Sequence, residues 1–327
     1  MGLRVSVALC TRNGGEFLRS QLESILSQDH LPDEVVISDD ASTDNTTSLI
    51  EEFARIAPPS MRVRVHANAV ALGVRDNFSQ ALRHCTGDIV LLSDQDDVWR
   101  SDRVRRTVAE FAHRQELQLM FSDARLIDDA GRVLPHTLFE SLEVTPRDKR
   151  RIRLGDAFAV LLRRNLATGA TTALRNDLIQ RALPIPSPWL HDEWLAIIAS
   201  SLGAVAIVDK PLIDYRQHSS NVIGVASPTM RRKIARVFEI RGDRNELLRL
   251  RAAELVTKLK ALGIPSISDT LALAEQKLEF EASRTVLPNP RIRRLRPVLN
   301  VARFHLYKQF SSQGLKDIIR DLLQPHR

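Results

Sequence analysis

Three carboxylates lie within four residues of one another, at Asp94, Asp96 and Asp97, directly after the apolar run 89–92. The apolar run predicts a buried strand, so the carboxylates follow its carboxyl end. Like charges this close together repel and raise one another's pKa unless a cation lies among them. Because Mg²⁺ and Mn²⁺ prefer oxygen ligands and share those of substrate phosphates, the cluster predicts a divalent metal beside a diphosphate. The alternative is a solvated acidic loop ahead of a helix that begins near Ser101.

A second pair of carboxylates, Asp192 and Glu193, lies far along the chain, between Trp189 and Trp194. Prolines precede this pair and an apolar helical pattern follows it, so one carboxylate is a candidate general base at a helix start. Asp192 also has a structural interpretation, as the N-cap of that helix. The two tryptophans are candidates for a sugar-stacking wall or for core packing. His218 is a candidate for a metal or phosphate contact, or for a packed surface histidine.

The first 93 residues alternate between apolar strand patterns and amphipathic helical stripes. The strand patterns have helical stripes between them and lie at 5–10, 35–37, 63–65 and 88–93. This alternation with short connections predicts right-handed βαβ units, and so a Rossmann-like α/β fold with a mostly parallel sheet sandwiched by helices. Ligands bind outside the carboxyl ends of such strands, which are here the polar segments 11–14, 38–40 and 93–97.

Length, composition and cysteine content narrow the class of protein. A chain of 327 residues with 43% hydrophobic and 27% charged residues is typical of a soluble globular protein. Its two cysteines, Cys10 and Cys85, predict neither a disulfide framework nor a zinc site, and they fit a reducing cytosol. The sequence shows no signal-peptide pattern and no run of about 18 apolar residues that would span a membrane. The segment 13–15 after the first strand lacks a G-x-G-x-x-G motif, which disfavours a dehydrogenase.

Positive charge is concentrated toward the C-terminal end of the chain. The net charge is +7, but residues 228–327 carry 21 Lys and Arg against 10 Asp and Glu, whereas residues 1–227 carry 26 against 30. This asymmetry predicts one domain at 1–226 and a basic α-helical region at 227–327. A smaller basic segment, 145–153, is predicted to be a solvated loop.

The C-terminal region combines helical patterns with basic and aromatic residues. A helix is predicted to begin at Ser227, and an apolar stripe follows it from Ile234 to Leu262. Aromatic residues lie at helical spacing after the basic run 291–296 and are Phe304, Tyr307 and Phe310. Basic residues with interfacial aromatics predict a surface that lies on anionic lipid. The alternative is a helical cap that packs on the first domain, and no recognised motif makes nucleic acid an expected partner.

Six motifs in order resemble those of the inverting family-two glycosyltransferases, which have an A-type nucleotide-sugar-binding fold. The rhamnosyltransferase-like branch is the most similar, and the resemblance covers residues 4–226. The motifs follow one another along the chain and are Cys-Thr-Arg-Asn-Gly at 10–14, Ile-Ser-Asp-Asp-Ala-Ser-Thr-Asp at 37–44, the segment 68–77, Ser-Asp-Gln-Asp-Asp-Val-Trp at 93–99, His-Asp-Glu-Trp at 191–194 and Tyr-Arg-Gln-His at 215–218. The resemblance implies an A-type glycosyltransferase fold ahead of the basic C-terminal helices.

The resemblance assigns the donor nucleotide to the ends of the first two strands. Thr11 and Asp40 match residues that contact the nucleotide base, and Asp39 is their neighbour. The wider set expected to bind the donor consists of Thr11, Asn13, Asp39, Asp40, Asn77, Asp94 and Gly169. Arg12 is a departure from the family pattern, because many members have an aromatic residue at this position.

The resemblance also assigns the metal and the catalytic base. Asp94 and Asp96 match the D-x-D motif that contacts ribose and metal, and the cofactor implied is Mg²⁺ or Mn²⁺. The candidate metal ligands lie in or near this motif and are Asp94, Asp96, Asp97 and His218. The catalytic base matches Asp192, but His-Asp-Glu stands where many relatives have Glu-Asp, so Glu193 is the alternative.

The predicted function is metal-dependent, inverting transfer of a sugar from a nucleoside diphosphate to a hydroxyl of a growing cell-surface saccharide. The branch suggests rhamnose, the expected acceptor is a saccharide or lipid-linked saccharide, and the expected location is the cytoplasm and the inner face of the cell membrane. A metal would neutralise the leaving diphosphate, and a carboxylate would take the acceptor proton. One alternative is a sugar-phosphate nucleotidyltransferase, which the loop after the first strand matches poorly. Another is a non-catalytic saccharide- or membrane-scaffold protein, which would not need both carboxylate clusters.

Overall fold

The structure is a computed structural model that describes residues 2–218, 244–303 and 305–324. The predicted helix start at Ser227, the stripe residues before 244 and the aromatic Phe304 lie outside the described residues. No helix in the described part of the chain combines the length and the apolar composition that a bilayer-spanning segment needs.

The chain forms two compact units, and neither is continuous in sequence. The first consists of Met1–Ala157, Leu166–Ile185 and Leu190–Val225, and the second of Phe158–Asn165, Pro186–Trp189 and Ala226–Arg327. The division into domains at 1–226 and 227–327 stays a prediction.

Eleven strands lie in the described residues, all of them in the first unit. In chain order they are β1 (Val5–Thr11), β2 (Glu34–Asp39), β3 (Arg62–Ala67), β4 (Ile89–Ser93), β5 (Val98–Trp99), β6 (Leu117–Ser122), β7 (Arg125–Ile127), β8 (Val133–Thr137), β9 (Thr172–Arg175), β10 (Ala204–Val208) and β11 (Ile213–Arg216). Seven of them form one sheet in the order β10–β6–β9–β4–β1–β2–β3. The neighbours are parallel except at β9, which is antiparallel to both β4 and β6. The predicted mostly parallel sheet is confirmed, and β9 is a strand that the sequence patterns did not reveal.

Helices flank this sheet and bury its central strands. Nine helices precede residue 203 in the described part of the chain and are α1 (Leu18–Leu26), α2 (Thr46–Ile56), α3 (Val74–His84), α4 (Arg103–His113), α5 (Leu138–Ser141), α6 (Pro146–Arg153), α7 (Ala157–Arg163), α8 (Asn176–Ala182) and α9 (His191–Leu202). Of these, α7 belongs to the second unit from Phe158 onward and is not among the helices that flank the sheet. Every residue of β1, β2 and β4 is buried, which explains the apolar segments at the centre of these strands. The stripe predicted for α1 is confirmed, because Leu18, Leu22 and Ile25 are buried.

A second, four-stranded sheet has the order β5–β11–β7–β8. Its strand β11 pairs antiparallel with β5, so that Asp214 lies opposite Val98, and it pairs parallel with β7. This pairing brings the segment after Tyr215 beside the acidic segment that precedes β5. Two motifs that are distant in sequence therefore become neighbours.

The prediction of a solvated loop at 145–153 is wrong, because this segment forms α6. Thr145 and Asp148 form a capping box, in which each side chain accepts a hydrogen bond from the other's backbone N–H, and Pro146 occupies the first turn. Lys149 pairs with Asp209 at 2.7 Å. The start signal, Thr followed by Pro and then Asp three residues after Thr, is sufficient for a helix despite the basic composition.

The second unit is helical in its described residues. Its later helices are α10 (Arg244–Leu262), α11 (Ser268–Thr285), α12 (Arg291–Arg303), α13 (Leu306–Phe310) and α14 (Leu315–Leu323). Tyr307 and Phe310 are 2% and 1% exposed, and their rings pack near Phe280 at centroid distances of 5.2 and 5.8 Å. The prediction that these aromatics lie on a lipid-facing surface is wrong, because helical spacing alone does not separate core aromatics from interfacial ones.

Candidate active site

The candidate site lies at one edge of the seven-stranded sheet. Because β1 pairs parallel with both β2 and β4, the carboxyl ends of these strands are adjacent. The predicted polar segments 11–14, 38–40 and 93–97 therefore lie side by side, as ligand-binding segments of such sheets do. The arrangement can present carboxylates, hydroxyls and backbone N–H groups to one ligand.

Thr11 and Asp39 bond to each other at the end of β1 and β2. Thr11 Oγ1 donates to Asp39 Oδ1 at 2.7 Å. Ser42 Oγ donates to the same oxygen at 2.6 Å, and the Ser42 N–H donates to Asp39 Oδ2 at 3.0 Å. Asp39 is 2% exposed, so its carboxylate orders the loop after β2. A direct contact of Thr11 or Asp39 with the donor stays a prediction.

Asp40 orders a different loop, the turn before α3. Its Oδ1 accepts the Leu72 N–H at 2.6 Å, and its Oδ2 accepts the Gly73 N–H at 2.9 Å. Gly73 has a φ of +84°, a conformation that favours glycine. The exposed Arg12 guanidinium lies 3.7 Å from Asp40 Oδ2. Arg12 thus places a cation at the predicted donor-binding edge, where many relatives have an aromatic ring.

Asn13 and Asn77 link neighbouring loops in this region. The Asn13 N–H donates to Ser42 Oγ at 2.8 Å, and Asn13 Oδ1 accepts the Thr43 N–H at 2.8 Å. The Asn77 side chain accepts from Ser38 Oγ at 2.6 Å and donates to the Ser38 carbonyl at 2.9 Å. Asn77 is 3% exposed, so its amide stabilises the end of β2. The donor-binding role of both residues stays a prediction.

The acidic segment is fixed from two sides by Gln95 and Arg216. Gln95 Oε1 accepts the Arg12 N–H at 2.7 Å, and Gln95 Nε2 donates to the Arg12 carbonyl at 3.0 Å. Arg216 Nε donates to the Asp96 carbonyl at 2.9 Å, and the Arg216 N–H donates to Asp97 Oδ1 at 3.1 Å. The segment is therefore attached both to the loop after β1 and to β11.

His218 lies against the acidic segment, as the sequence analysis expected for one of its two interpretations. His218 Nε2 is 2.9 Å from Asp96 Oδ2, and the side chains are 9% and 20% exposed. The Phe17 ring lies 4.8 Å from the imidazole centroid, and the Arg216 guanidinium lies 4.8 Å from the same Phe17 ring. His218 is thus placed for a contact with a ligand that binds at Asp96.

The carboxylates of this edge disfavour one another's charge. The pKa of Asp94 is raised to about 7, first by burial and then by repulsion from Asp96 and Asp192. The pKa of Asp97 is also raised, by burial first and by Asp96 and Asp94 next. Asp192 bonds Gly169 in the turn Gly169–Thr171, which leads into β9, and β9 starts beside the carboxyl end of β4, just before Asp94. The two carboxylate clusters, which are distant in sequence, are therefore neighbours.

Arg103 lies at the start of α4 and is a buried cation near the carboxylates. It is 2% exposed, its Nη2 donates to the Leu92 carbonyl at 3.1 Å, and its guanidinium lies 3.9 Å from the Trp99 ring centroid. Burial lowers the pKa of Arg103 to about 9, although Asp97 and Asp94 act in the opposite direction. Arg103 was not among the predicted site residues.

The donor atoms of the acidic segment fit a hard divalent cation in their chemistry. Asp97 Oδ2 is buried, and no described residue gives it a hydrogen bond. Across the described residues, no three His, Cys, Asp or Glu side chains are grouped closely enough to hold a metal by themselves. This arrangement suits Mg²⁺ or Mn²⁺ that takes one or two carboxylates and completes its coordination with water and substrate phosphates.

Asp192 lies in the first turn of α9, and Leu190 is the N-cap, so the N-cap interpretation of Asp192 is wrong. Asp192 Oδ1 accepts the Glu193 N–H at 2.7 Å, and Asp192 Oδ2 accepts the Gly169 N–H at 3.1 Å. A Cβ at Gly169 would lie 2.9 Å from His191 Nε2, so the close approach requires glycine. Backbone donors thus hold the Asp192 carboxylate in one orientation.

His191 is a buried imidazole beside this carboxylate. It is 6% exposed and stacks on Phe78 with a centroid distance of 3.8 Å. Neither ring nitrogen has a hydrogen-bond partner among the described residues, and burial lowers the pKa of His191 to about 3. A neutral imidazole without partners costs stability, and no sequence signal distinguished it from an ordinary core residue.

The two tryptophans belong to different units. Trp194 is completely buried in the first unit and donates from Nε1 to the Ala182 carbonyl at 2.8 Å, so core packing is its role. Trp189 belongs to the second unit, where its Nε1 donates to the Arg251 carbonyl at 3.1 Å and the Arg251 guanidinium lies 4.2 Å from its ring centroid. The prediction of a sugar-stacking role is therefore wrong for Trp194.

The sheet and its acidic carboxyl edge define the class, a nucleotide-sugar transferase fold of the A type. Residues 6–163 match the family model described as Glycosyl transferase family 2, so the chain contains a domain of this family. Similar sequences include an uncharacterized glycosyltransferase of Nostoc sp., 25% identical over 67% of this chain and 66% of the relative. The dTDP-rhamnosyl transferase RfbG of Shigella flexneri is 24% identical over 66% of this chain and 73% of its own. The predicted resemblance to the family-two glycosyltransferases is confirmed for residues 6–163.

Solved structures with the same fold cover nearly the whole chain. S. aureus TarS 1–349, in complex with UDP-GlcNAc, has a TM-score of 0.58 at 18% identity, over 98% of this chain and 90% of its own. The mannosyltransferase PcManGT from Pyrobaculum calidifontis, in complex with GDP-Man and Mn²⁺, has a TM-score of 0.52 at 20% identity, over 99% and 86%. The predicted A-type fold with C-terminal helices is confirmed. The chain spans 60 to 66% of the length of the first curated relatives that it matches.

Proposed function

We propose that this chain is an inverting, divalent-metal-dependent glycosyltransferase that moves a sugar from a nucleoside diphosphate to a hydroxyl of a growing cell-surface saccharide. The observation that carries the proposal is the proximity of two carboxylate clusters. Arg216 and Gln95 fix the segment that contains Asp94 and Asp96, and Asp192 accepts the Gly169 N–H of the turn that leads into β9 beside the carboxyl end of β4. A displacement at a sugar carbon needs one group for the leaving diphosphate and another for the attacking hydroxyl, and the two clusters supply both.

The acidic segment is the proposed site of the metal and the donor diphosphate. One or two of the carboxylates Asp94, Asp96 and Asp97 would hold Mg²⁺ or Mn²⁺ together with water and phosphate oxygens, and His218 would contact the metal or a phosphate oxygen from its place beside Asp96. When bound, such an ion acts as a Lewis acid that neutralises the charge of the leaving diphosphate. Support comes from the Mn²⁺ and GDP-Man of the mannosyltransferase complex. The rhamnosyltransferase relative makes dTDP-rhamnose the first donor to test.

Thr11, Asn13, Asp39 and Asp40 form the proposed floor of the nucleotide pocket. Their side chains order the loops after β1 and β2, as the hydrogen bonds of Asp39 and Asp40 indicate. The exposed Arg12 would then interact with the nucleotide from the solvent side. Asn77 would support the pocket by stabilising the end of β2.

Asp192 is the proposed general base. Its two oxygens accept the N–H groups of Glu193 and Gly169, and these bonds fix the orientation of the carboxylate that would receive the acceptor proton. The N-terminal end of α9 favours a negative charge at this position. Removal of the proton as the hydroxyl attacks makes the oxygen a stronger nucleophile. Glu193 is the alternative base.

The proposed acceptor is a saccharide or lipid-linked saccharide. The proposed location is the cytoplasm, with the chain at the inner face of the cell membrane, and nucleic acid is not a proposed partner. The test is a panel of nucleotide sugars that includes dTDP-rhamnose, UDP-GlcNAc and GDP-mannose, with hydrolysis and transfer measured in Mn²⁺, in Mg²⁺ and in excess chelator.

Chelator should abolish turnover, and Asp96→Asn should lower it by at least about a hundredfold, because the ion supplies several kcal/mol of transition-state stabilisation. Asp177→Asn is the matched control, since Asp177 is an exposed carboxylate of α8. Undiminished turnover in chelator would contradict metal dependence. Retention of the donor's anomeric configuration in the product would contradict the inverting mechanism.

A further inference from the structure

The helix α12 has one buried face and one exposed face. Arg294 and Val298 are completely buried. The Arg294 guanidinium donates to backbone carbonyl groups on both sides of the helix, which are those of Pro288, Asn289, Asp321 and Gln324. These bonds fix the rotation of α12 about its axis and therefore determine which of its residues face outward.

The outward face combines aliphatic side chains with arginines. Ile292, Leu295 and Leu299 lie at i, i+3 and i+7, which places them along one stripe, and they are 80%, 46% and 54% exposed. The remaining charged residues of the helix are all exposed arginines and are Arg291, Arg293, Arg296 and Arg303. The helix contains no Asp or Glu. We call these seven residues the α12 face.

We propose that the α12 face is a docking surface for an anionic lipid bilayer. Aliphatic side chains on one stripe can enter the boundary between headgroups and acyl chains, and arginines beside them bind lipid phosphates with their planar forks. A solvated helical face has no use for three large aliphatic side chains, which cost free energy in water. The α12 face thus has both an aliphatic stripe and positive charge, which are the two properties that peripheral attachment to anionic lipid requires.

Charge complementarity favours lipid over other occupants of this face. A second copy of the same face would bring its own arginines against these four, and like charges repel across an interface. Residues 219–243 carry five Lys and Arg against two Asp and Glu, so this segment of the chain does not complement the arginines either. An acidic protein would satisfy the arginines but not the continuous aliphatic stripe.

The proposed lipid surface consists of other residues than those expected from the sequence alone. That expectation assigned lipid contact to the aromatics after the basic run, whereas Tyr307 and Phe310 are buried in the second unit. The aliphatic residues within the basic run take their place. The docking surface does not depend on which sugar is transferred, or on whether the proposed reaction occurs.

The test measures binding of the full chain to vesicles of equimolar phosphatidylglycerol and phosphatidylcholine, and to vesicles of phosphatidylcholine alone. One variant replaces the stripe, as Ile292→Ser, Leu295→Ser and Leu299→Ser. A second variant replaces the charges, as Arg291→Gln, Arg293→Gln, Arg296→Gln and Arg303→Gln. Two matched controls are Val286→Ser, which changes an aliphatic residue that is 77% exposed in the same unit, and Arg55→Gln with Arg83→Gln on the first unit.

We expect the mixed vesicles to bind the wild-type chain, and each face variant to bind at least about tenfold more weakly. The controls should stay within about twofold, and salt should weaken wild-type binding as the Debye length falls. Leu295→Trp provides a direct readout, since the fluorescence it adds to that of the native tryptophans should shift to shorter wavelength with the mixed vesicles. All substituted positions are exposed, so the variants should keep the fold of the wild-type chain.

Three results would overturn the proposal. The wild-type chain could bind phosphatidylcholine vesicles as tightly as the mixed vesicles, or both face variants could bind the mixed vesicles as tightly as the wild-type chain does. The third is an emission spectrum of Leu295→Trp that does not change when mixed vesicles are added. A concentration-dependent dimer that the serine variant abolishes, without vesicle binding, would assign the face to a second copy and also overturn it. Hydrolysis of the donor sugar in solution separates the two proposals. If the wild-type chain hydrolyses the donor but does not bind the mixed vesicles, only the lipid surface is contradicted. If it binds the mixed vesicles but hydrolyses no donor, only the transferase is contradicted.

Discussion

Each of the two units contains a cluster of buried charges, and the clusters differ in how their carboxylates are paired. In the second unit, Arg284 donates to Asp321 at 2.7 Å and to Glu281 at 2.8 Å, and Lys277 donates to Glu281 at 2.6 Å. Each of these side chains is almost fully buried. Every carboxylate of this set therefore has a cation in direct contact.

In the first unit the carboxylates lie near one another, and the buried cation Arg103 donates to a backbone carbonyl. The consequence appears in the pKa values. Although burial alone would lower the pKa of Arg284, its carboxylate partners raise it, whereas the pKa of Asp94 is raised to about 7 by burial, Asp96 and Asp192. Paired charges stabilise a fold, and carboxylates that repel one another in a cleft indicate a site that binds a cation or a proton.

The largest expected effect concerns Asp192, the member of the acidic edge that the proposal assigns to proton transfer. Asp192→Asn should keep the affinity for nucleotide sugar while lowering the transfer rate by about 10²–10⁴, because a positioned base contributes that factor. Donor affinity by calorimetry and transfer rate should be measured separately. Asp96→Asn should weaken donor binding itself, so the two variants differ in kind.

Glu193→Gln is the matched control for Asp192→Asn. The next residue of a helix lies about 100° around the axis, so Glu193 presents its carboxylate in another direction. Loss of transfer in Glu193→Gln but not in Asp192→Asn would move the base by one residue. If both variants kept full transfer, the proton acceptor would lie outside α9.

The next largest effect tests the paired cluster of the second unit. Arg284→Met leaves Glu281 and Asp321 buried without their guanidinium partner, and the expected loss is about 3–5 kcal/mol in the free energy of unfolding. Denaturant unfolding of the full chain measures it. Arg249→Met is the control, because Arg249 pairs with Glu246 at a solvated position where water and salt screen the interaction, so its stability should stay close to that of the wild type.

A loss for Arg284→Met as small as that for Arg249→Met would contradict this expectation, because the buried pairs would then contribute no more than an exposed pair. Simultaneous replacement of Arg284 and Asp321 by apolar residues should recover part of the loss, because Glu281 keeps Lys277 as its partner. Donor hydrolysis should persist in that double variant wherever the fold persists.

Much of the fold could be predicted because apolar periodicity reports burial directly. The strands β1, β2 and β4 are buried at every residue, and the apolar segment at the centre of each one made it recognisable. The strand β9 could not be predicted, because its four residues are too short for a period and the pairing with β4 and β6 is made across distant sequence. Helix α6 was missed for another reason, since its basic residues concealed a capping box.

The acidic residues of the site could be selected because carboxylates at strand ends are a local signal. Gln95 and Arg216 could not be assigned roles, because Gln95 bonds Arg12 and Arg216 bonds Asp96 across more than eighty residues. Arg103 follows a helix cap and reads as a surface residue in sequence, although it is 2% exposed. The acidic residues of the candidate site could be recognised in the sequence, whereas the contacts that hold them in place could not.

Glu34 is a buried carboxylate of the first unit that differs from the acidic segment, because it accepts hydrogen bonds from several donors. Its Oε1 accepts from Ser6 Oγ at 2.5 Å and from the Thr86 N–H, and its Oε2 accepts from Arg64 at 2.5 Å. Burial alone would raise the pKa of Glu34, but these hydrogen bonds lower it from 4.5 to about 2. Glu34 therefore has hydrogen-bond donors at both carboxylate oxygens, as Glu281 and Asp321 have.

A carboxylate whose pKa is lower in the folded state contributes stability above its unfolded pKa, and this contribution is lost as the pH falls through the folded value. For Glu34 the contribution should be complete above about pH 5 and should disappear between about pH 4.5 and 2. Its size should be about 1–3 kcal/mol, the smallest effect in this series. Glu34→Gln should lose this increment at neutral pH and show a shallower decline of stability on the acid side.

Denaturant unfolding of wild type and Glu34→Gln at a series of pH values measures the effect. Glu52→Gln is the control, because Glu52 pairs with Arg19 on the surface, where water and salt screen the interaction. Parallel pH profiles for wild type and Glu34→Gln would show that the donors around Glu34 do not stabilise its charge. The distinction between paired and mutually repelling carboxylates would then fail at Glu34, a residue of the first unit for which no bound ligand is proposed.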